Sequence, residues 1–115
     1  MTKPTADLLQ GSLDLLILKA LTLGPLHGWG VSKRIRQMSR DVLEVNQGSL
    51  YPAVHRLEER GFVTSEWKTS DEGRRAKFYR LTPLGRKQFA EEQERWELFA
   101  AAVGHTLQAA GKGGG

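Results

Sequence analysis

The sequence predicts a mainly α-helical fold with a small β-hairpin, arranged as a winged helix-turn-helix followed by a C-terminal dimerisation helix. Three observations support this prediction. Residues 46–61 read as one helix with a clear start and stop, two segments with the residue types and period of strands follow, and a long amphipathic segment begins at Thr82. We expect residues 1–82 to form the winged helix-turn-helix domain, 83–110 the dimerisation helix and 111–115 a flexible tail.

The central helix is delimited by local chemistry. The side chain of Asn46 can accept a hydrogen bond from a first-turn amide, and Gly61 can adopt the left-handed conformation that ends a helix. At about 100° per residue, the apolar residues between them share one face. These residues are Leu50, Ala53, Val54 and Leu57.

The remaining surface of this helix offers an amide, a hydroxyl, a phenol, an imidazole and a guanidinium, which are groups that bind base edges and phosphates. The residues are Gln47, Ser49, Tyr51, His55 and Arg56. Pro52 lies among them, where its ring is expected to disturb the helix. An ordinary amphipathic helix with a kink is the alternative interpretation.

Composition excludes several classes of function. The 115 residues include no cysteine, which excludes a disulfide framework, a thiolate metal site and a cysteine nucleophile. The three histidines fall in unrelated elements, and no phosphate-binding glycine loop or metal-ligand spacing occurs. We therefore predict no catalytic residues, no metal and no cofactor. The absence of a long apolar run or a signal-peptide pattern predicts a cytoplasmic protein that does not enter a membrane.

The net charge of +4 is modest, but the basic residues are clustered. Residues 33–40, beginning with Lys33, and residues 74–87 contain basic side chains and no acid. Two basic blocks on either side of the central helix indicate a polyanionic partner, although charged runs are often only solvated surface.

The first helix is predicted from Leu13 to Leu23, after Ser12 at its cap. It is apolar on two sides, because Leu15 and Leu18 lie opposite its main stripe. In a small protein the second apolar side predicts contact with another subunit.

A second helix is predicted from Trp29 to about Met38, with Trp29 expected in the core or at a hinge. Together with the connection 40–46 and the central helix, it forms a helix-turn-helix pattern. Strands follow at residues 62–67 and 76–81, and the turn between them leads into Arg74, Arg75 and Lys77. This basic hairpin is predicted to be a wing that reaches phosphates or a minor groove, the alternative being a solvated hairpin.

Thr82 and Pro83 suit the start of the last helix, which is predicted to end near Gln108. Its apolar stripe needs a partner, most simply the same helix of a second subunit. The stripe consists of Phe89, Trp96, Phe99, Val103 and Leu107.

Three runs of residues resemble the PadR family of bacterial transcription regulators. They are residues 24–29 (GPLHGW), 48–61 (GSLYPAVHRLEERG) and 73–85 (GRRAKFYRLTPLG). The family usually has tyrosine where this chain has Trp29, and the single C-terminal helix resembles the short subfamily. The resemblance implies a homodimeric winged helix-turn-helix that binds operator DNA, generally as a repressor relieved by a small molecule.

The polar residues are assigned separate roles on this basis. We expect the helix that starts after Asn46 and contains Pro52 to enter the major groove, where Gln47, Ser49 and Tyr51 meet base edges or nearby phosphates. His55, Arg56 and Lys33 are expected to contact the backbone, and the wing to contact the neighbouring groove, on an inverted-repeat site.

Trp96 is the residue expected to stack on a flat aromatic effector between subunits, or else to be interface core. A winged-helix protein-protein interaction module without DNA binding is the alternative function.

Overall fold

The computed structural model describes residues 12–111, so the predicted tail from residue 112 onward and the first 11 residues lie outside it. The elements in chain order are α1 (Leu13–Thr22), β1 (Leu26–His27), α2 (Gly28–Met38), α3 (Gln47–Glu59), β2 (Val63–Thr69), β3 (Arg75–Leu81) and α4 (Pro83–Gln108). The winged helix-turn-helix is therefore formed by α1–α3 and the sheet, and the C-terminal helix follows directly.

The sheet has three antiparallel strands in the order β1-β3-β2. Val63 pairs with Leu81 at one end of the wing and Thr69 with Arg75 at the other, while Leu26 of β1 pairs with Tyr79. The sequence predicted the hairpin of β2 and β3 but missed β1, the third strand of the sheet. A strand of two residues is too short to show an alternating pattern of apolar and polar side chains.

Local chemistry forms the ends of α3 and the start of α4 as predicted, whereas the Ser12 side chain makes no capping hydrogen bond at the start of α1. The Asn46 side chain accepts a hydrogen bond from the Ser49 amide at 2.8 Å, and Gly61 has a φ of +81°. The Thr82 hydroxyl accepts a hydrogen bond from the Gly85 amide at 3.0 Å at the start of α4. These contacts satisfy first-turn amides that have no partner within their own helix.

Pro52 does not break α3, which runs unbroken from Gln47 to Glu59. Proline cannot donate to the carbonyl four residues earlier, which belongs to Gly48. Because both residues are exposed, water can reach this part of the helix and hydrate that carbonyl. An interior proline is tolerated here because the helix lacks a neighbour on that side.

The core lies where α1, α2 and α3 meet the inner face of the sheet. Its largest fully buried side chains are Ile17, Leu18, Leu21, Ile35, Leu50, Leu57, Val31, Val54 and Val63. Tyr79 and Leu81 share the inner face of β3 and are each 5% exposed, as the strand period predicts.

Two residues predicted to meet a second subunit pack within their own chain instead. Leu18 is completely buried, so it offers no surface to a partner, whereas Leu15 is half-buried. Phe89 packs against the core, with the Lys19 ammonium 5.9 Å from the centre of its ring. The helix pattern could not show that the start of α4 returns to α1 and supplies this cover.

The rest of α4 leaves its apolar stripe uncovered. Trp96, Phe99, Val103 and Leu107, which we call the α4 seam, are 40–79% exposed. Trp96 and Phe99 lie together, with ring centres 5.9 Å apart. Among residues 12–111, no helix is long and apolar enough to span a membrane.

Candidate nucleic-acid interface

The exposed surface of α3 is the side opposite Leu50 and Leu57. Ser49, Pro52 and His55 are exposed there, and Tyr51 is 43% exposed on the side that faces the wing. Asn46 is also exposed, but its side-chain oxygen is engaged by the Ser49 amide. This surface therefore presents hydroxyl, phenol and imidazole groups of the kind that bind base edges and phosphates.

Gln47, predicted to be available for base contacts, is held between two helices. Its Nε2 atom donates a hydrogen bond to the Ser32 hydroxyl of α2 at 2.8 Å. Its Oε1 atom is buried and has no hydrogen-bond partner among the described residues. Gln47 thus contributes to the packing of α2 on α3, and its contact with bases stays a prediction, for which the side chain would exchange the Ser32 hydroxyl for DNA.

Two of the predicted cationic contacts are paired with acids. Arg56 Nη2 lies 3.9 Å from Asp14 Oδ1, which places Arg56 beside α1. Lys77 Nζ lies 3.8 Å from Glu58 Oε1, and the Ser65 hydroxyl donates to Glu58 Oε2 at 2.5 Å. Glu58 thus contacts both long strands of the wing, and it sets the position of the wing against α3.

A cleft of about 360 Å³ separates the wing from α3 and from the start of α2. We call it the wing cleft. It is lined by His27, Gly28, Trp29, Tyr51, Trp67, Ser70, Arg74, Arg75, Ala76, Lys77 and Tyr79. The predicted DNA-binding residues of α3 and of the wing meet here through Tyr51 and the two arginines.

Trp29 was expected in the core or at a hinge, but it is 45% exposed and lies against His27 with ring centres 3.9 Å apart. His27 is fixed in turn, because its Nδ1 atom accepts a hydrogen bond from the Gly30 amide. The strand period could have indicated that Trp67 shares the inner face with Val63. It could not indicate that this face extends past the core and lines the cleft.

Tyr51 and Tyr79 both line the wing cleft. A Cβ atom added to Gly28 would lie 2.6 Å from the Tyr51 hydroxyl, so only glycine leaves room for this ring. Burial raises the pKa of Tyr79, and the neighbouring Tyr51 and Glu58 raise it further. Tyr79 therefore stays a neutral phenol at physiological pH.

Lys33 lies on the other side of the helix-turn-helix. It is exposed and lines a second cavity, of about 470 Å³, together with Arg36 and Asn46. A cation next to the start of α3 is compatible with the predicted backbone contact from α2. In the part of the chain that the structure describes, no three His, Asp or Glu side chains form a group that could hold a metal.

This arrangement of helices and sheet defines the class of winged-helix transcription regulators. A structure of a transcriptional regulator from Clostridium thermocellum aligns with a TM-score of 0.77 at 31% identity, covering 86% of this chain and 96% of that one. A PadR-like transcriptional regulator from Bacillus cereus aligns with a TM-score of 0.78 at 25% identity, covering 91% of this chain and all of that one, 100%.

The chain belongs to the transcriptional regulator PadR-like family, whose model matches residues 17–91. The transcriptional regulator Rv3488 of Mycobacterium tuberculosis is 39% identical over 105 residues, which cover 90% of this chain and 94% of that protein. The resemblance inferred from the three sequence runs is thereby confirmed. Like the members of this family and its structural neighbours, the protein is a transcriptional regulator and not an enzyme.

Proposed function

We propose that the protein is a cytoplasmic, DNA-binding homodimer that represses transcription from an inverted-repeat operator. The observation that supports this most directly is the juxtaposition of the exposed polar surface of α3 with the wing arginines. Arg74 and Arg75 are exposed and form no ion pair within residues 12–111, so both charges are available to phosphates.

The structure suggests a division of roles within this surface. Ser49 and Tyr51 approach base edges or nearby phosphates, with Pro52 packing beside them, and His55 meets the backbone further along α3. Arg74, Arg75 and Lys33 bind the sugar-phosphate backbone from the two flanks. Arg56 and Lys77 contribute less, because each is close to a carboxylate that offsets its charge.

The α4 seam supports the homodimer. A helix that exposes two aromatic and two aliphatic side chains along one stripe buries them when a second copy packs against it. Residues 1–82 then form the DNA-binding domain and residues 83–110 the dimerisation helix. We propose Trp96 as the residue on which a flat aromatic effector stacks between the two copies, and as interface core if no effector binds.

DNA binding is tested by fluorescence anisotropy with the DNA upstream of the protein's own gene and with an unrelated duplex of equal length. We expect tighter binding to the upstream DNA and a steep loss of affinity with added salt. Arg74→Ala with Arg75→Ala should weaken both complexes and reduce the salt slope by about one unit per lost phosphate contact. Tyr51→Ala should instead reduce the preference for the upstream DNA, because each lost base contact costs about 1–3 kcal/mol of discrimination.

Arg60→Ala with Arg95→Ala is the matched control, because it removes the same charge from exposed positions outside the wing cleft and outside both basic blocks. This control should leave the preference for the upstream DNA unchanged, and it should reduce the salt slope less than the wing variant does. Failure of the wild-type protein to bind either duplex at low salt would contradict the proposal and favour a protein-protein interaction module.

A further inference from the structure

Glu58, in the last turn of α3, is the polar link between this helix and the wing. Its Oε2 atom accepts a hydrogen bond from the Ser65 hydroxyl of β2, and its Oε1 atom lies 3.8 Å from Lys77 Nζ of β3. Among residues 12–111, no other side-chain hydrogen bond or ion pair joins α3 to the wing. The carboxylate side chain is 29% exposed, so salt screens these contacts only in part.

The link is placed where the wing leaves the core. Val63 pairs with Leu81 in the core, and Lys77 lies further out on the same face of β3. Arg75 follows two residues beyond Lys77, which is about 7 Å at 3.3 Å per residue. A tilt of the wing by about 15° at Glu58 would move Arg75 by about 2 Å, which is enough to break a hydrogen bond to a phosphate.

Glu58 also affects how many cations the surface offers to DNA. Lys77 is paired with Glu58, whereas Arg74 and Arg75 form no ion pair within residues 12–111. A lysine without its carboxylate would be available to phosphates in any duplex, because phosphate contacts carry no sequence information directly.

We propose that Glu58 is a positioning residue that determines how strongly the protein prefers its operator. Through Ser65 it holds the wing at the spacing from α3 that lets Tyr51 and the wing arginines reach the operator together. Through Lys77 it limits the affinity for DNA of any sequence. Glu58 carries the same charge sign as DNA and acts only through these neighbours. This inference rests on the proposed DNA binding.

The two effects have different signatures on the upstream and the unrelated duplex. Base contacts fix α3 on the operator, whereas on unrelated DNA the protein can shift to suit a displaced wing. Ser65→Ala should therefore reduce the preference for the upstream DNA about tenfold and leave the salt slope unchanged. Glu58→Gln keeps an acceptor for Ser65 but frees Lys77. It should steepen the salt slope on both duplexes by about one unit, a three- to fourfold larger loss of affinity between about 50 and 200 mM salt.

The chain offers a matched control for each variant. Glu59→Gln removes the same charge from the next residue, which is exposed and forms no ion pair in the part of the chain that the structure describes. Thr64→Ala removes a hydroxyl from the exposed face of β2. Neither control should change the preference or the slope. Equal effects of Glu58→Gln and Glu59→Gln, or an unchanged preference in Ser65→Ala, would overturn the proposal.

Double variants show whether Glu58 acts through the wing. In an Arg74→Ala, Arg75→Ala background, Ser65→Ala should no longer reduce the preference, because the contacts that it displaces are already gone. In a Lys77→Met background, Glu58→Gln should leave the slope unchanged. A loss of stability alone would produce the same change in every background, and that result would overturn the positioning role.

The placement of the wing is also measured without DNA, by hydrogen exchange of the β2 and β3 amides. Ser65→Ala should speed this exchange about fivefold, and Thr64→Ala should not. A protein that shows this difference but binds neither duplex would contradict the proposed function and support the placement of the wing by Glu58. A protein that prefers the upstream DNA but shows no difference in exchange would overturn the present inference alone.

Discussion

Phe99→Ala is expected to dissociate a dimer that is held together by the α4 seam. Phe99 is 61% exposed in one protomer. With roughly 200 Å² for a whole phenylalanine side chain, this is about 120 Å² of ring available to a partner. At about 25 cal/mol per Å², its burial contributes about 3 kcal/mol per protomer. Two copies lose about 6 kcal/mol, which raises the dissociation constant by about four powers of ten when the ring is fully buried in the dimer.

The matched control is Leu98→Ala. Leu98 is 68% exposed, slightly more than Phe99, but it lies about 200° around the helix axis from Trp96 and is therefore off the seam. Sedimentation equilibrium at micromolar concentration should show a dimer for the wild type and for Leu98→Ala, and a monomer for Phe99→Ala. Equal dissociation constants for the two variants would refute the assignment of the seam as the interface.

Two glycine substitutions test close contacts at the start of α2 and of α4. Gly28→Ala should push the Tyr51 ring away, because the new Cβ atom lies 2.6 Å from its hydroxyl, and the preference for upstream DNA should fall about tenfold with little change in melting temperature. An unchanged preference would show that Tyr51 does not read DNA in this position. Gly85→Ala brings a Cβ atom against the backbone carbonyl of Phe62, which cannot move aside easily, and should cost about 3 kcal/mol in chemical denaturation. Gly104→Ala is its control: nothing lies within 4 Å of the new atom, so the helix should gain about 0.5–1 kcal/mol, and equal effects at the two sites would contradict the packing.

The sequence by itself determined the helices and strands whose positions depend on interactions between residues close together in the chain. Asn46 caps α3 and Gly61 ends it because the side-chain acceptor and the left-handed residue act on their own neighbours. The period of β3 placed Tyr79 and Leu81 on the buried face for the same reason. The three family runs then specified the winged helix, since each run contains residues that a turn, a cap or a helix face requires.

The tertiary structure decided what each side chain meets. Leu18 and Phe89 have the spacing of interface residues, yet Leu18 is buried in the core of its own chain and Phe89 packs partly buried against that core. Gln47 faces the same way as a base-reading residue on a helical projection, but Ser32 of α2 lies within hydrogen-bond distance.

Two further features depend on tertiary packing. Lys77 pairs with Glu58, and Trp29 and Trp67 line one cleft. The residues that form each of these contacts are separated along the chain and come together only when α2, α3 and the wing pack. Periodicity shows which side of a helix or strand a residue occupies. Which other side chain the residue meets on that side depends on how the other elements pack, and the spacing of residues within one segment carries no information about that packing.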